Sequence, residues 1–193
     1  MDICILMGSP RQKSNTAALL EPFTDELRKS GISFDILQLK SMELKPCTAC
    51  RACQKSWESF GCVQKDGLYE IFEKIMECRM IVLASPIYSW YCTPQMKIVL
   101  DRLVYGMNKI YGEKAGPRLW QGRQLSLITT CGYPPEKGAD LWEEGMKRFC
   151  RHSGLIYTKM LVERHSDYSK AFMDSQKEEN ARAFAREMAE RLK

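Results

Sequence analysis

A chain of 193 residues with 45% apolar content can bury roughly 70% of its unfolded surface in one domain, so it needs neither a disulfide nor a metal merely to stay folded. Its net charge of +5 is spread over 29 basic and 24 acidic residues, without the basic block or stripe of a nucleic-acid binder. Met1–Gly8 is apolar but short and carries Asp2 instead of a basic start, and no apolar run nears the length of a membrane span, so a cytoplasmic protein without a membrane partner is expected.

Residues 2–7 (DICILM) form an apolar run ending at Gly8, the mark of a strand covered on both faces. Residues 15–29 then space Leu20, Phe23 and Leu27 for one helix face, with Pro22 expected to kink or break that helix. Residues 32–39 alternate as a second strand, and a cysteine-rich connection occupies about 41–66. Asp66 is expected to cap a helix whose inner face is Leu68, Ile71, Phe72, Ile75 and Met76. Residues 80–84 are a third buried strand, stopped by Ser85-Pro86. Pro94 suits the first turn of a helix that buries Met96, Val99, Leu100, Leu103 and Met107. A loop at 111–122 leads to a fourth strand at 124–130. A helix near 139–152 ends before Gly154, a fifth strand follows at 155–162, and a last helix spans 169–192 with Phe184, Met188 and Leu192 inward. Strands alternating with helices mean right-handed βαβ units and a parallel sheet in a single domain, whose ligands bind beyond the carboxyl ends of the strands.

The first such loop reads Gly8-Ser9-Pro10-Arg11-Gln12-Lys13-Ser14-Asn15-Thr16 and opens a helix, the setting in which backbone N–H groups take up an anion. Ser9, Ser14 and Thr16 add hydroxyls, Asn15 an amide and Arg11 a charge. Neither a dinucleotide fingerprint nor a P-loop fits the glycine spacing, which leaves a single terminal phosphate; an ordinary polar capping turn is the plain alternative. After the third strand, Pro86, Ile87, Tyr88, Ser89 and Trp90 supply flat side chains for a ring, and after the fourth, Thr130, Cys131 and Gly132 allow close backbone approach. Either loop alone would read as local packing. Together with the first they line one edge of one sheet.

Nine cysteines is a high count, and four crowd into Cys47, Cys50, Cys53 and Cys62, spaced C-x₂-C-x₂-C with eight residues before the last. Compact triples with a fourth thiolate wrap [4Fe–4S] cubes, whereas zinc sites favour two separated pairs. A loop of metal-free thiols that pack or respond to oxidants is the other reading. Cys4, Cys78, Cys92, Cys131 and Cys150 lie in or beside apolar segments and read as small buried hydrophobes.

The strings GSPRQKSNT, ASPIYSWYCTPQMKIVLDRL and ITTCG resemble the NADPH-dependent FMN reductase group, and PCTACRACQKSWESFGCVQKDGL resembles the iron–sulfur flavoproteins within it, although the gap before Cys62 is longer than their pattern. The resemblance spans about residues 1–155. It implies a flavodoxin-like three-layer α/β sandwich with a five-stranded parallel sheet of order 2-1-3-4-5. It also implies that Ser9, Arg11, Ser14, Asn15 and Thr16 hold the FMN phosphate while Pro86–Trp90 and Thr130–Gly132 frame the isoalloxazine. Lys97, Asp101 and Arg102 match the helix after the ring loop, where a solvated or interface charge pair is expected.

The expected function is an oxidoreductase that takes electrons from NAD(P)H through FMN, with a [4Fe–4S] cluster as candidate relay, to a quinone, flavin, protein or small electrophile. No catalytic side chain is assigned, and His152 and His165 read as incidental surface residues. A flavodoxin-type carrier fits less well because such carriers are strongly acidic. A cysteine-based redox or metal sensor is the third reading. The length of the 41–66 connection, with Trp57 and Phe60 in excess of core needs, suggests a homodimer or homotetramer.

Overall fold

Ile3–Met7 is apolar without interruption because both of its faces are covered, and this segment, β1, lies at the centre of the molecule. A computed structural model describes residues 1–193. It adds β2 (Phe34–Gln38), β3 (Met80–Pro86), β4 (Gln124–Cys131) and β5 (Ile156–Arg164), all parallel, in the order β2-β1-β3-β4-β5. This is the flavodoxin-like doubly wound order. Side-chain alternation along the strands divides the core in two. Ile3, Ile5, Val82 and Ala84 face α1 (Asn15–Lys29) and α6 (Ser175–Glu190), meeting Leu19, Phe23, Phe184 and Met188. Cys4, Leu6, Ile81, Leu83 and Leu127 face the opposite layer of α2 (Leu68–Glu77), α3 (Pro94–Met107) and α5 (Asp140–Ser153). Each of the larger of these side chains (Val, Leu, Ile, Phe and Met), fully buried, contributes roughly 1.5–3 kcal/mol. No helix is long and apolar enough to cross a membrane.

Several expected boundaries move, each for a local reason. The first helix runs unbroken through Pro22, a buried residue. The third strand does not stop at Ser85-Pro86; both residues stay in register with Thr129 and Thr130 of β4. Pro86 has no N–H to donate, and the ladder resumes at Ile87, whose N–H donates to the Thr130 carbonyl at 2.8 Å. The last helix starts at Ser175 because the Asp174 carboxylate caps it, accepting from Lys177 N–H at 2.8 Å. A short α4 (Pro135–Gly138) precedes α5. Gly67 takes the capping position of α2, yet Asp66 still accepts the Leu68 N–H at 3.2 Å. Gly154 ends α5 in the left-handed region, φ 69°, as a glycine C-cap does.

Candidate functional site

Three loops at the carboxyl ends of β1, β3 and β4 meet along one rim. The turn after β1 ends in Ser14, whose hydroxyl caps α1 by accepting the Ala17 N–H at 3.1 Å. That leaves the N–H groups of Asn15 and Thr16 without an acceptor in the chain, at the positive end of the helix dipole. Arg11 is exposed, and its backbone N–H donates to the buried Ser9 hydroxyl at 3.4 Å. The Thr16 hydroxyl is buried against that of Thr130 at 2.9 Å, tying the first loop to the fourth strand.

The loop after β3 is a two-residue hairpin. Tyr88 and Tyr91 exchange backbone bonds of 2.8 and 3.0 Å, and Ser89 and Trp90 between them both have positive φ, 49° and 62°. Such turns normally use Asn or Gly, and each ordinary residue in this conformation costs roughly 1–2 kcal/mol. The Trp90 indole N–H donates to the Lys137 carbonyl at 3.1 Å, and its ring lies nearly parallel to Tyr133 at 6.1 Å between centroids. Tyr88 and Trp90 are 42% and 49% exposed, an apolar platform left open.

Two adjoining open recesses fill this rim. Arg11, Asn15, Pro86, Tyr88 and Thr130 line the first, Ser89 and Trp90 the second, and Ile87, Cys131 and Gly132 both. Sequence reasoning missed two further contributors from beyond β5. Tyr168 covers Gly132 so closely that a Cβ there would lie 2.8 Å from its hydroxyl. His165, expected to be incidental, lines the first recess with its ring 3.0 Å from the Asn15 amide. A lone histidine in a weakly patterned segment carries no signal of this. His152 does stay at the surface, beside Tyr111.

Cys47, Cys50, Cys53 and Cys62 line a separate, tight recess with Arg102 and Tyr105, so the long gap before Cys62 is bridged by the fold. N–H groups point at three of the sulfurs: Ala49 N at 3.4 Å from Cys47 Sγ, Gln54 Nε2 at 3.8 Å from Cys53 and Arg102 Nη2 at 3.2 Å from Cys62. No three of these thiols converge tightly enough to hold a single metal ion.

Arg102 corrects the expectation of a solvated charge. It is 2% exposed and pairs with Asp66 at 2.5 Å while donating to the Lys45 and Gln64 carbonyls. Burial opposes its charge, but Asp66 and Cys62 outweigh that and hold its pKa above the usual value. Burial likewise raises Asp66, yet hydrogen bonds from Arg102, Lys45 and Leu68 win, and its pKa is lowered. Lys97 and Asp101, by contrast, do form an exposed pair. Lys109, unmarked in the sequence, is fully buried and donates to the Cys53 and Phe60 carbonyls at 2.9 and 3.1 Å. Burial pushes its ammonium pKa down, with Cys53 and Cys62 opposing. Phe60 is not surplus to the core: it is 1% exposed and its ring fills the place of a side chain at Gly106, where a Cβ would lie 2.0 Å from it. Trp57 remains 45% exposed. The other five cysteines are buried thiols, as expected, and burial raises Cys92 and Cys150 to about 12.

A family model, NADPH-dependent FMN reductase, matches residues 1–140. An iron–sulfur flavoprotein of Archaeoglobus fulgidus is 38% identical over 102 residues, 53% of this chain and 48% of that protein. The chain spans about half the length of the curated relatives it matches. An NAD(P)H:quinone oxidoreductase from Methanothermobacter marburgensis superposes with a TM-score of 0.68 at 19% identity, covering 100% of this chain and 96% of that one. A flavodoxin from the domain Archaea does so at 0.59 and 11%, covering 100% and 99%. At these identities the two structures share the fold.

Proposed function

The chain belongs to the NADPH-dependent FMN reductase family, and from that premise we propose that it is an FMN oxidoreductase using NAD(P)H and delivering electrons to a quinone, flavin or protein acceptor. The observation that carries this reading is the single rim at which an α1 N-terminus with unpartnered N–H groups meets an open aromatic platform. The N–H groups of Asn15 and Thr16, the Asn15 amide, the Ser9 and Ser14 hydroxyls and the Arg11 guanidinium would hold the phosphate. Pro86–Trp90 and Thr130–Gly132 would frame the isoalloxazine, beside Tyr168 where it lies over Gly132. FMN, when bound, supplies hydride acceptance from a nicotinamide and onward one-electron transfer.

The cysteine recess fits an iron–sulfur cluster by its donor set. Four thiols surround it, N–H groups aim at three of the sulfurs, and of two buried cations nearby Arg102 is paired with the Asp66 carboxylate while Lys109 meets only the Cys53 and Phe60 carbonyls. That excess of positive charge suits an anionic, thiolate-held group. Cys47, Cys50, Cys53 and Cys62 would be its ligands, supplying a one-electron relay. A thiol sensor is the second reading, favoured by exposed Cys50, whose pKa is lowered by hydrogen bonds from the Ala52 N–H and Thr48. Nine free thiols accord with a reducing compartment such as the cytoplasm. Exposed Trp57 and Val63 of the cysteine-rich loop are proposed to pack on a second copy, which light scattering tests; a clean monomer removes that assembly.

Anaerobic purification followed by an absorption spectrum and NADPH oxidation tests the whole. Structured flavin bands over a broad iron–sulfur background, with turnover on a quinone, are expected. Flavin bands that no nicotinamide reduces would instead make the chain a carrier, and a colourless protein that takes up neither FMN nor iron would make it a sensor.

A further inference from the structure

Resting on the FMN reading, we propose that His165 is a positioning residue of the phosphate seat, acting through Asn15 and supplied by a segment outside the family-matched residues 1–140. The sheet sets its place: the His165 backbone N–H donates to the Cys131 carbonyl at 2.9 Å, one residue past the end of β5. Next to it, Arg164 Nε donates to the Gly132 carbonyl at 3.0 Å. The imidazole is wedged edge-on between Tyr168 and Phe172, at 4.9 and 5.4 Å between centroids.

Its hydrogen-bond partners determine its tautomer. Nε2 lies 3.2 Å from the Lys170 carbonyl, an oxygen that only accepts, so Nε2 carries the hydrogen. Nδ1 of the neutral ring then has a free lone pair and accepts from Asn15 Nδ2 at 3.0 Å. One N–H of the Asn15 amide is thereby fixed on the ring. The second N–H of the same nitrogen remains in the recess that Arg11, Asn15 and His165 share. Without the imidazole the amide is free to rotate and present its carbonyl oxygen to the phosphate, replacing a donor with a repelling acceptor. His165 thus selects the donor face of the first helical residue.

Because the device concerns the phosphate alone, FMN and riboflavin separate it from general packing. Dissociation constants are measured by flavin fluorescence for the full-length protein and for His165→Ala, His165→Gln, Asn15→Ala and the His165→Ala/Asn15→Ala double variant. His165→Ala is expected to weaken FMN about tenfold while leaving riboflavin within about twofold, and His165→Gln, whose amide oxygen can take the Asn15 N–H, to restore most of the loss. In the Asn15→Ala background the His165 change is expected to add less than about twofold, since coupled partners are not additive. Equal weakening of both flavins, no weakening of either, or full additivity overturns the positioning role. A parent protein that binds neither flavin overturns the FMN reading itself, and the role of His165 with it.

Discussion

The strand-end rim and the cysteine recess are held together in opposite ways. At the rim the backbone does the fixing: β3 continues its ladder through Ile87, the Tyr88–Tyr91 hairpin closes on itself, and His165 prolongs β5 by a bond to Cys131. In the cysteine loop the fixing is by side chains from one helix and its exit. Arg102 and Lys109 grip Cys62 and Cys53, the Phe60 ring seats where Gly106 has no side chain, and Gln54 reaches the Tyr105 and Asn108 carbonyls at 2.6 and 3.1 Å. A site carried by backbone ladders tolerates side-chain change; one carried by a few buried side chains fails when any of them is lost.

The largest test of that contrast is Arg102→Met. It strands the Asp66 carboxylate in the interior and should cost about 3–5 kcal/mol, read as a lower urea midpoint, with Asp66→Asn in the same chain recovering part of it. Unchanged stability would show that the ion pair does not hold the loop. Arg11→Ala strikes the other region. FMN affinity should fall about ten- to hundredfold while the rates at which iodoacetamide alkylates the cysteines stay as they were; equal FMN affinity would remove Arg11 from the seat. Gly106→Ala drives a methyl into the Phe60 ring, an overpacking cost of about 1–3 kcal/mol. Mass spectrometry should find Cys53 alkylated faster, with FMN affinity retained, and a coupled loss of flavin would erase the distinction between the two regions. Smallest is Ser89→Gly, which relieves one left-handed residue and should stabilise by about 1 kcal/mol; destabilisation would mean that the Ser89 side chain makes a contact worth more than the backbone relief.

What could be read from residue order follows the same divide. β1 and the inner face of α3 were legible because uninterrupted or helically spaced apolar residues have one good burial, and the three strand-end loops were legible because parallel topology sends them to one edge. Arg102 and Lys109 were not, since a charge in or just after a helix reads as solvated until its distant partners, Asp66 and the Cys53 carbonyl, are known. Phe60 looked superfluous for the same reason, its place being a missing side chain on another element. Asn15 and His165 stand 150 positions apart, and no local pattern joins them. The end of β3 was misjudged because proline is a strand breaker in general, though not at a last residue whose successor takes over the bonding.

The hairpin at Tyr88–Tyr91 has one more implication. Its two closing bonds lie inside the turn, and the tip side chains Ser89 and Trp90 are exposed, with Trp90 reaching the Lys137 carbonyl and the Tyr133 ring and no strand of the sheet core. Variation at those two positions can therefore reshape what approaches the rim while the scaffold beneath stays intact, so a small library confined to them is the economical route to a changed preference among oxidants.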